Sequence, residues 1–424
     1  MSRHSGLEVP TMRRSLFLGL VVLSLTASAA VVAQTTAVAG PIIPPSICFV
    51  NAVTGNDLNP CDTPGTAKRT LQAGVNAVAS GGTVVVAAGR YTDSVVITRA
   101  MRVKGAQSGA SRVFALGGHC FDGTDTVVQP LGGITHLGAA DAFTVTSSDV
   151  VIDGFCITGA LAGLYTPAVV PLNVRLLSTV VEESEMGFDI GNCGGCVISR
   201  DVFKNLGSLT RPSDPRNRVG RSSALELSDS YFWFLSLYTA LVLDGDVTSP
   251  DFDHTGATIL RNSFFEVDSA MELTHVTQVK ILQNDVYAHN TGILLRSATH
   301  VYIRNNLLDA QVLAAPGHGV AISIGGSGGP AMLITIRDNS IKGRLYGVSV
   351  GPTYTGRLNL RKNWWGSSTG PSPVAINPIS DGTGASIQDV GPAGRLSFSP
   401  WYCTDASSTP AGSTGFNPTG PLCP

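Results

Sequence analysis

Apolar and polar residues alternate in short runs through the second half of the chain, and the runs break at the same place each time. The pattern is apolar, x, apolar, x, x, Asn, x, apolar. It reads Ala257-x-Ile259-x-x-Asn262-x-Phe264, Val279-x-Ile281-x-x-Asn284-x-Val286 and Val301-x-Ile303-x-x-Asn306-x-Leu308. Two further copies centre on Asn339 and Asn363, so successive Asn lie 22, 22, 33 and 24 residues apart. Earlier copies, Val150 to Ile157 and Cys196 to Phe203, carry Phe155 and Asp201 at the Asn position. A second strand follows each turn: Ala240-Leu241-Val242-Leu243, Ala270-Met271-Glu272-Leu273, Gly292-Ile293-Leu294-Leu295, Gly319-Val320-Ala321-Ile322 and Gly347-Val348-Ser349-Val350. Period-2 alternation buries one side of a strand. Its recurrence about every 22 residues predicts a solenoid of stacked coils.

The recurrent Asn have a physical task. At one bend in successive coils, each amide can donate to and accept from its neighbour one strand spacing away, about 4.8 Å. The expected ladder is Asn262, Asn284, Asn306, Asn339 and Asn363, satisfying groups the bend would otherwise bury unpaired. A solenoid also needs closed ends. Apolar residues at helical spacing between Thr70 and Val78 predict an amphipathic cap helix at about residues 70–79. The expected class is all-β: a single-stranded right-handed parallel β-helix with an N-terminal cap helix.

Several motifs carry a family resemblance. They are Gly55-Asn56-Asp57 to Pro60-Cys61, the cap helix, Ala88-Gly89-Arg90-Tyr91 and Ile152-Asp153-Gly154-Phe155-Cys156-Ile157. Toward the C-terminus come Asn363-Trp364-Trp365-Gly366-Ser367-Ser368-Thr369-Gly370-Pro371 and Phe398-Ser399-Pro400-Trp401. Together they resemble bacterial secreted β-helix proteins of the pectin-lyase-like superfamily over most of residues 48 to 402. That resemblance specifies fold far more than function, since its members include lyases, polygalacturonases, epimerases and adhesins.

The N-terminus reads as an export signal. Arg13 and Arg14 precede the apolar run Leu16 to Leu25, followed by small residues up to Ala33, the order of a secretory leader. The run is shorter than the roughly 20 apolar residues a bilayer span needs, so no transmembrane segment is expected in the mature chain. The expected organisation is leader 1–33, linker 34–47, β-helix 48–402 and a Gly/Pro/Ser/Thr-rich tail 403–424. Removing Arg3, Arg13, Arg14 and Glu8 with the leader leaves 25 basic against 29 acidic side chains, a net charge of −4. With 14% charged residues and no basic run, a nucleic-acid footprint is missing. Eight Cys in an exported chain read as disulfides. The candidates are Cys48 with Cys61, Cys120 with Cys156, Cys193 with Cys196 and Cys403 with Cys423. The expected location is extracellular or at the cell surface, with the periplasm as the alternative.

Enlarged intervals around Gly319 place a candidate groove at residues 310–330. There Gly317-His318-Gly319 resembles the Gly-His-Gly stretch of polygalacturonases, making His318 the candidate catalytic residue and Asp268, Glu272 and Tyr346 the candidate substrate-binding residues. Glycoside hydrolysis needs two carboxyl groups around the anomeric carbon. The positions that pattern alignment stacks on His318, namely Thr239, Ser269, Thr291 and Tyr346, supply none. Asp244, Asp246, Asp251 and Asp253 crowd one loop and are candidate calcium ligands. The run Tyr231-Phe232-Trp233-Phe234 offers aromatic faces for sugars, although alternate members of a strand point inward. The leading expectation is a polysaccharide-binding, structural or adhesive protein whose partner is a polysaccharide or cell-surface glycan. The alternative is a polysaccharide lyase or polygalacturonase-like hydrolase. N-terminal sequencing of exported material is expected to begin at Gln34; a start at or before Leu16 would refute the leader.

Overall fold

The computed structural model describes residues 44–424 except 112–119, 121–122, 132–139, 169–172, 208–216, 246–250, 252, 311–318, 326–329, 344, 373–381 and 392–393, and the side chains of 234–238. The expected leader lies outside the described residues.

The chain forms a right-handed parallel β-helix in which each coil crosses three faces. On the first face Val174–Leu177, Val197–Ser199, Glu226–Ser228, Thr258–Leu260 and Lys280–Leu282 stack in parallel register. On the second, Val180–Glu182 and Val202–Lys204 lead into the long strands Tyr231–Leu243, Ser263–Thr277 and Asp285–Arg304. The third face runs from Val95–Ile97 through Ala162–Thr166 and Met186–Ile190 to Tyr346–Val350. The strand Asp285–Arg304 turns two corners, pairing successively with Leu307–Ala310, Val320–Ile324 and Met332–Arg337 of the next coil.

Inside, like stacks on like. The second face buries Phe203, Phe232 and Phe264 in consecutive coils, with ring centroids 5.0 and 4.6 Å apart. At the bend between the first and second faces, Asn262 Nδ2 donates to Asn284 Oδ1, Asn284 to Asn306, Asn306 to Asn339 and Asn339 to Asn363, at 2.9–3.0 Å. Each Oδ1 also accepts the backbone N–H of the Asn one coil back. All five are fully buried.

The column continues where the sequence has no Asn. Asn262 Oδ1 accepts from Ser230 N, Ser230 Oγ faces Asp201 N, and Asp201 Oδ1 accepts from Thr179 N at 2.7 Å. Burial pushes the Asp201 carboxyl well above the usual range, against the backbone donor Thr179. A neutral acid there has the shape and acceptor of an Asn side chain.

The cap helix spans Leu71–Ala77, with Thr70 Oγ1 accepting from Ala73 N and with Leu71 and Val75 buried over the first coil. A Cβ on Gly74 would come within 2.3 Å of Val50 Cγ2, so the helix sits that close because it carries glycine there. At the other end Trp365 is fully buried, and Phe398 stacks on Trp401. Disulfides join Cys48 to Cys61, Cys120 to Cys156, Cys193 to Cys196 and Cys403 to Cys423.

Two findings depart from the sequence reading. Thr291 stands opposite Val320, and Val320 opposite Tyr346, so the residue aligned with Gly292 and Gly347 is Ala321 and not Gly319. Val320, Ile322 and Ile324 are apolar at every second position, and a slip of two residues preserves which side faces the core. The apolar pattern therefore cannot distinguish the two registers. The C-terminal segment also folds back on the coils: Phe416 is 4% exposed and its N–H donates to Asn305 O.

Asn306→Ala should leave neighbouring amides and carbonyls unpaired and cost about 1–3 kcal/mol. Asn56, exposed outside the column, should cost clearly less. Equal melting temperatures for the two alanine variants would count against the ladder.

Candidate functional site

The residue three places after each ladder position points outward from the second face. Lys204, Trp233, Phe265, Tyr287, Asp309 and Lys342 therefore form one vertical column. Beside it runs a second outward column, Val202, Tyr231, Ser263 and Asp285. Phe203, Phe232 and Phe264 lie between these columns in sequence and fill the core behind them. Three aromatic ranks thus stand on one outer face. Phe265 and Tyr287 meet edge to face at 5.5 Å, and Tyr231 and Trp233 are 6.4 Å apart.

This face carries a cavity of about 960 Å³. Its floor is Val202, Tyr231, Ser263 and Asp285, with Trp233 alongside. Arg200, Asp229 and Arg261 form one side, projecting from left-handed turn positions with φ of 63°, 52° and 54°. Ser111 and the tail residues Gly412, Ser413 and Thr414 also line it. Arg261 grips Asp229 with two bonds, 2.6 and 2.8 Å, and that pairing raises the guanidinium pKa. Lys204 is buried against Glu182 at 2.9 Å.

Asp285 closes the floor. Burial raises its carboxyl to about 6, opposed by the hydrogen bond it accepts from Gly415 N, 2.7 Å long. Burial also raises the Tyr287 hydroxyl, aided by Asp285 and Asp309.

The candidate substrate-binding and calcium residues that the structure describes do not line this cavity. His318 and Asp246 are outside the described residues, as is most of the expected groove at 310–330. Asp268 accepts from Ser269 Oγ at 3.2 Å. Glu272 pairs with Arg296 at 3.0 Å, and the Tyr346 hydroxyl accepts from Gln388 Nε2 at 3.1 Å. Asp268 and Glu272 share a coil, while Tyr346 is three coils on, so these three do not converge. Asp253 accepts from Arg221 at 2.8 Å and faces His275 Nδ1 at 3.2 Å. Asp244 lies 3.7 Å from Arg218, which Asp189 holds at 2.9 Å. The structure thus directs Asp244 and Asp253 to different partners. Ser222 and His254, 2.9 Å apart, are both buried.

No protein-family model and no curated protein matches the sequence. Solved structures do resemble it. The Azotobacter vinelandii mannuronan C-5 epimerase AlgE6 A-module is 14% identical, with a TM-score of 0.49 over 77% of this chain and 93% of that one. The GH136 lacto-N-biosidase from Eubacterium ramulus is 12% identical, with a TM-score of 0.41 over 75% and 63%. The GH87 alpha-1,3-glucanase from Streptomyces thermodiastaticus strain HF3-3 is 12% identical, with a TM-score of 0.35 over 78% and 66%. At such identities and scores none of them assigns an activity or a residue to this chain.

A raised carboxyl pKa means that ionisation is costlier in the folded state. The stability Asp285 holds in its acid form should therefore be lost as pH rises from about 4, the unfolded value, through about 6. Asp285→Asn keeps an acceptor for Gly415 N. The wild type should melt progressively lower relative to this variant across that interval. Parallel melting curves against pH would refute the assignment.

Proposed function

We propose that this protein is an exported, extracellular or cell-surface glycan-binding protein, and that the second-face cavity is its binding site. The observation that carries this reading is the pair Tyr231 and Trp233 in a cavity that also presents Asp229, Arg261 and Ser263. Aromatic faces stack on the apolar C–H face of a sugar ring, while a few converging polar groups bond its hydroxyls. The rigid coil stack holds both sets in register. Few charges and no basic run speak for a hydroxyl-rich partner over a polyanion such as nucleic acid. Among the described residues, no helix is long and apolar enough to cross a membrane. Membership of the pectin-lyase-like superfamily, suggested by the terminal motifs, belongs to the same proposal.

One observation favours a second reading, a carbohydrate-active enzyme working in this cavity. Asp285 keeps its proton to higher pH than an ordinary carboxyl, and Asp229, two coils before it, is held by Arg261 of the intervening coil. A protonated acid and an ionised carboxylate are the pair glycoside hydrolysis uses. Release of reducing ends that is abolished in Asp285→Asn would establish it.

Calorimetric titration with xylan, mixed-linkage β-glucan and polygalacturonate tests the binding reading. Trp233→Ala should weaken the bound polysaccharide about ten-fold, the loss of one stacking face at roughly 1.5 kcal/mol. Phe49, remote from the cavity, serves as the control position through Phe49→Tyr. Unchanged affinity in Trp233→Ala, or no binding of any glycan, would refute the site.

A further inference from the structure

We infer that the cavity receives the end of a glycan chain, or a short oligosaccharide, and not an internal stretch of polymer. This rests on the glycan-binding reading and adds to it what part of the glycan is held. A ligand lying along the second face crosses one coil per strand spacing. The floor from Val202 to Asp285 covers four coils, three spacings, or roughly 14 Å. A cavity of about 960 Å³ is the size that encloses one compact ligand. What makes it a bounded site is that a disulfide-tethered segment stands at each end.

At the near end the obstruction is covalent. Cys156, Val180 and Val202 occupy the same outward column in successive coils. Cys156 is bonded to Cys120, which places Cys120 on the column two coils before the floor begins. Cys120 N also donates to Glu182 at 3.0 Å, and earlier in the chain Ser108 Oγ and Gly109 N donate to Asp153 at 2.6 and 3.0 Å. Ser111, which lines the cavity, follows directly on these anchors.

At the far end stands the C-terminal segment. Gly412, Ser413 and Thr414 line the cavity, and the next two residues dock on the coils. Gly415 N donates to Asp285, Phe416 N donates to Asn305 O at 2.7 Å, and Asn305 Nδ2 donates back to Phe416 O at 3.1 Å. Gly415 has φ of 91°, and a Cβ there would approach Asn305 O to 2.6 Å, so the contact is as close as backbone permits. Cys403–Cys423 ties the base of this segment, while Thr409 Oγ1 donates to Gly415 O and Asn417 N to Ser407 Oγ across it. It is a loop closed on itself, not a loose terminus. A polymer running straight along the face would have to displace Cys120 and the C-terminal segment, whereas a chain end needs to displace neither.

The test compares one polysaccharide before and after partial acid hydrolysis, at equal mass concentration. The probe is whichever of xylan, mixed-linkage β-glucan or polygalacturonate binds in calorimetry. Hydrolysis that multiplies the ends about ten-fold should lower the half-saturating mass concentration of the wild type about ten-fold. A variant lacking residues 404–424 and carrying Cys403→Ser, its fold checked by its melting transition, should respond much less, because its groove is open at the Asp285 end. Equal half-saturation of the wild type by intact and hydrolysed polymer overturns the inference while leaving glycan binding in place. Failure of every probe, intact or hydrolysed, overturns the glycan-binding reading and this inference together.

Discussion

Everything on the outside of this protein depends on a hydrogen bond made on the inside. At the bend between the first and second faces, each buried Asn amide donates to the side chain one coil ahead, and that oxygen also takes its backbone N–H. A bend left without partners would bury several polar groups in a packed interior. With the column in place, every coil turns at the same height and angle. The outward residues one and three places later then stand above one another without further adjustment. Trp233, Phe265 and Tyr287 form a stripe because Ser230, Asn262 and Asn284 form a column. Ser230 and Asp201 show that the requirement is for an acceptor of the preceding coil's backbone N–H at that point, not for asparagine as such.

The charged residues follow the same vertical logic. Arg218 reaches back to Asp189, Arg221 forward to Asp253, Arg261 back to Asp229 and Arg296 back to Glu272. Each pair links neighbouring coils, and each is at least partly exposed, so its individual contribution is small. Their effect is on geometry: Arg261 and Asp229 hold one another at the cavity edge with their hydrogen-bonding atoms already aligned.

The architecture was legible because the coil period is written in one residue type. Five Asn in a common frame announce a repeat that no local propensity would reveal. The outer aromatic stripe was legible in principle, since Phe265 and Tyr287 each follow a ladder Asn by three. They are single aromatic residues among many, however, and only the register makes them neighbours. The dense run Tyr231 to Phe234 drew notice, yet its meaning lay in what stacks on Trp233 in later coils. Alternation also could not fix the strand at Val320, where a two-residue shift leaves every inward residue inward. The returning C-terminal segment had no periodic signal at all. Its Gly, Pro, Ser and Thr read as a tail, and its docking rests on single contacts of Gly415 and Phe416 with Asp285 and Asn305 that follow no repeat.

Cys156 lies on an outward column, and its bond to Cys120 has a consequence for how such a molecule changes over generations. Between that fixed post and the C-terminal loop, the cavity floor is measured in whole coils. Duplicating one coil of about 22 residues, with its Asn included, would lengthen the floor by a single strand spacing, about 4.8 Å, and leave every column aligned. Adding or losing a few residues within a strand would instead throw later coils out of register. Descent with coil gain or loss can therefore alter the length of the cavity only in discrete steps. The scaffold behaves like a ruler whose graduations are inherited intact.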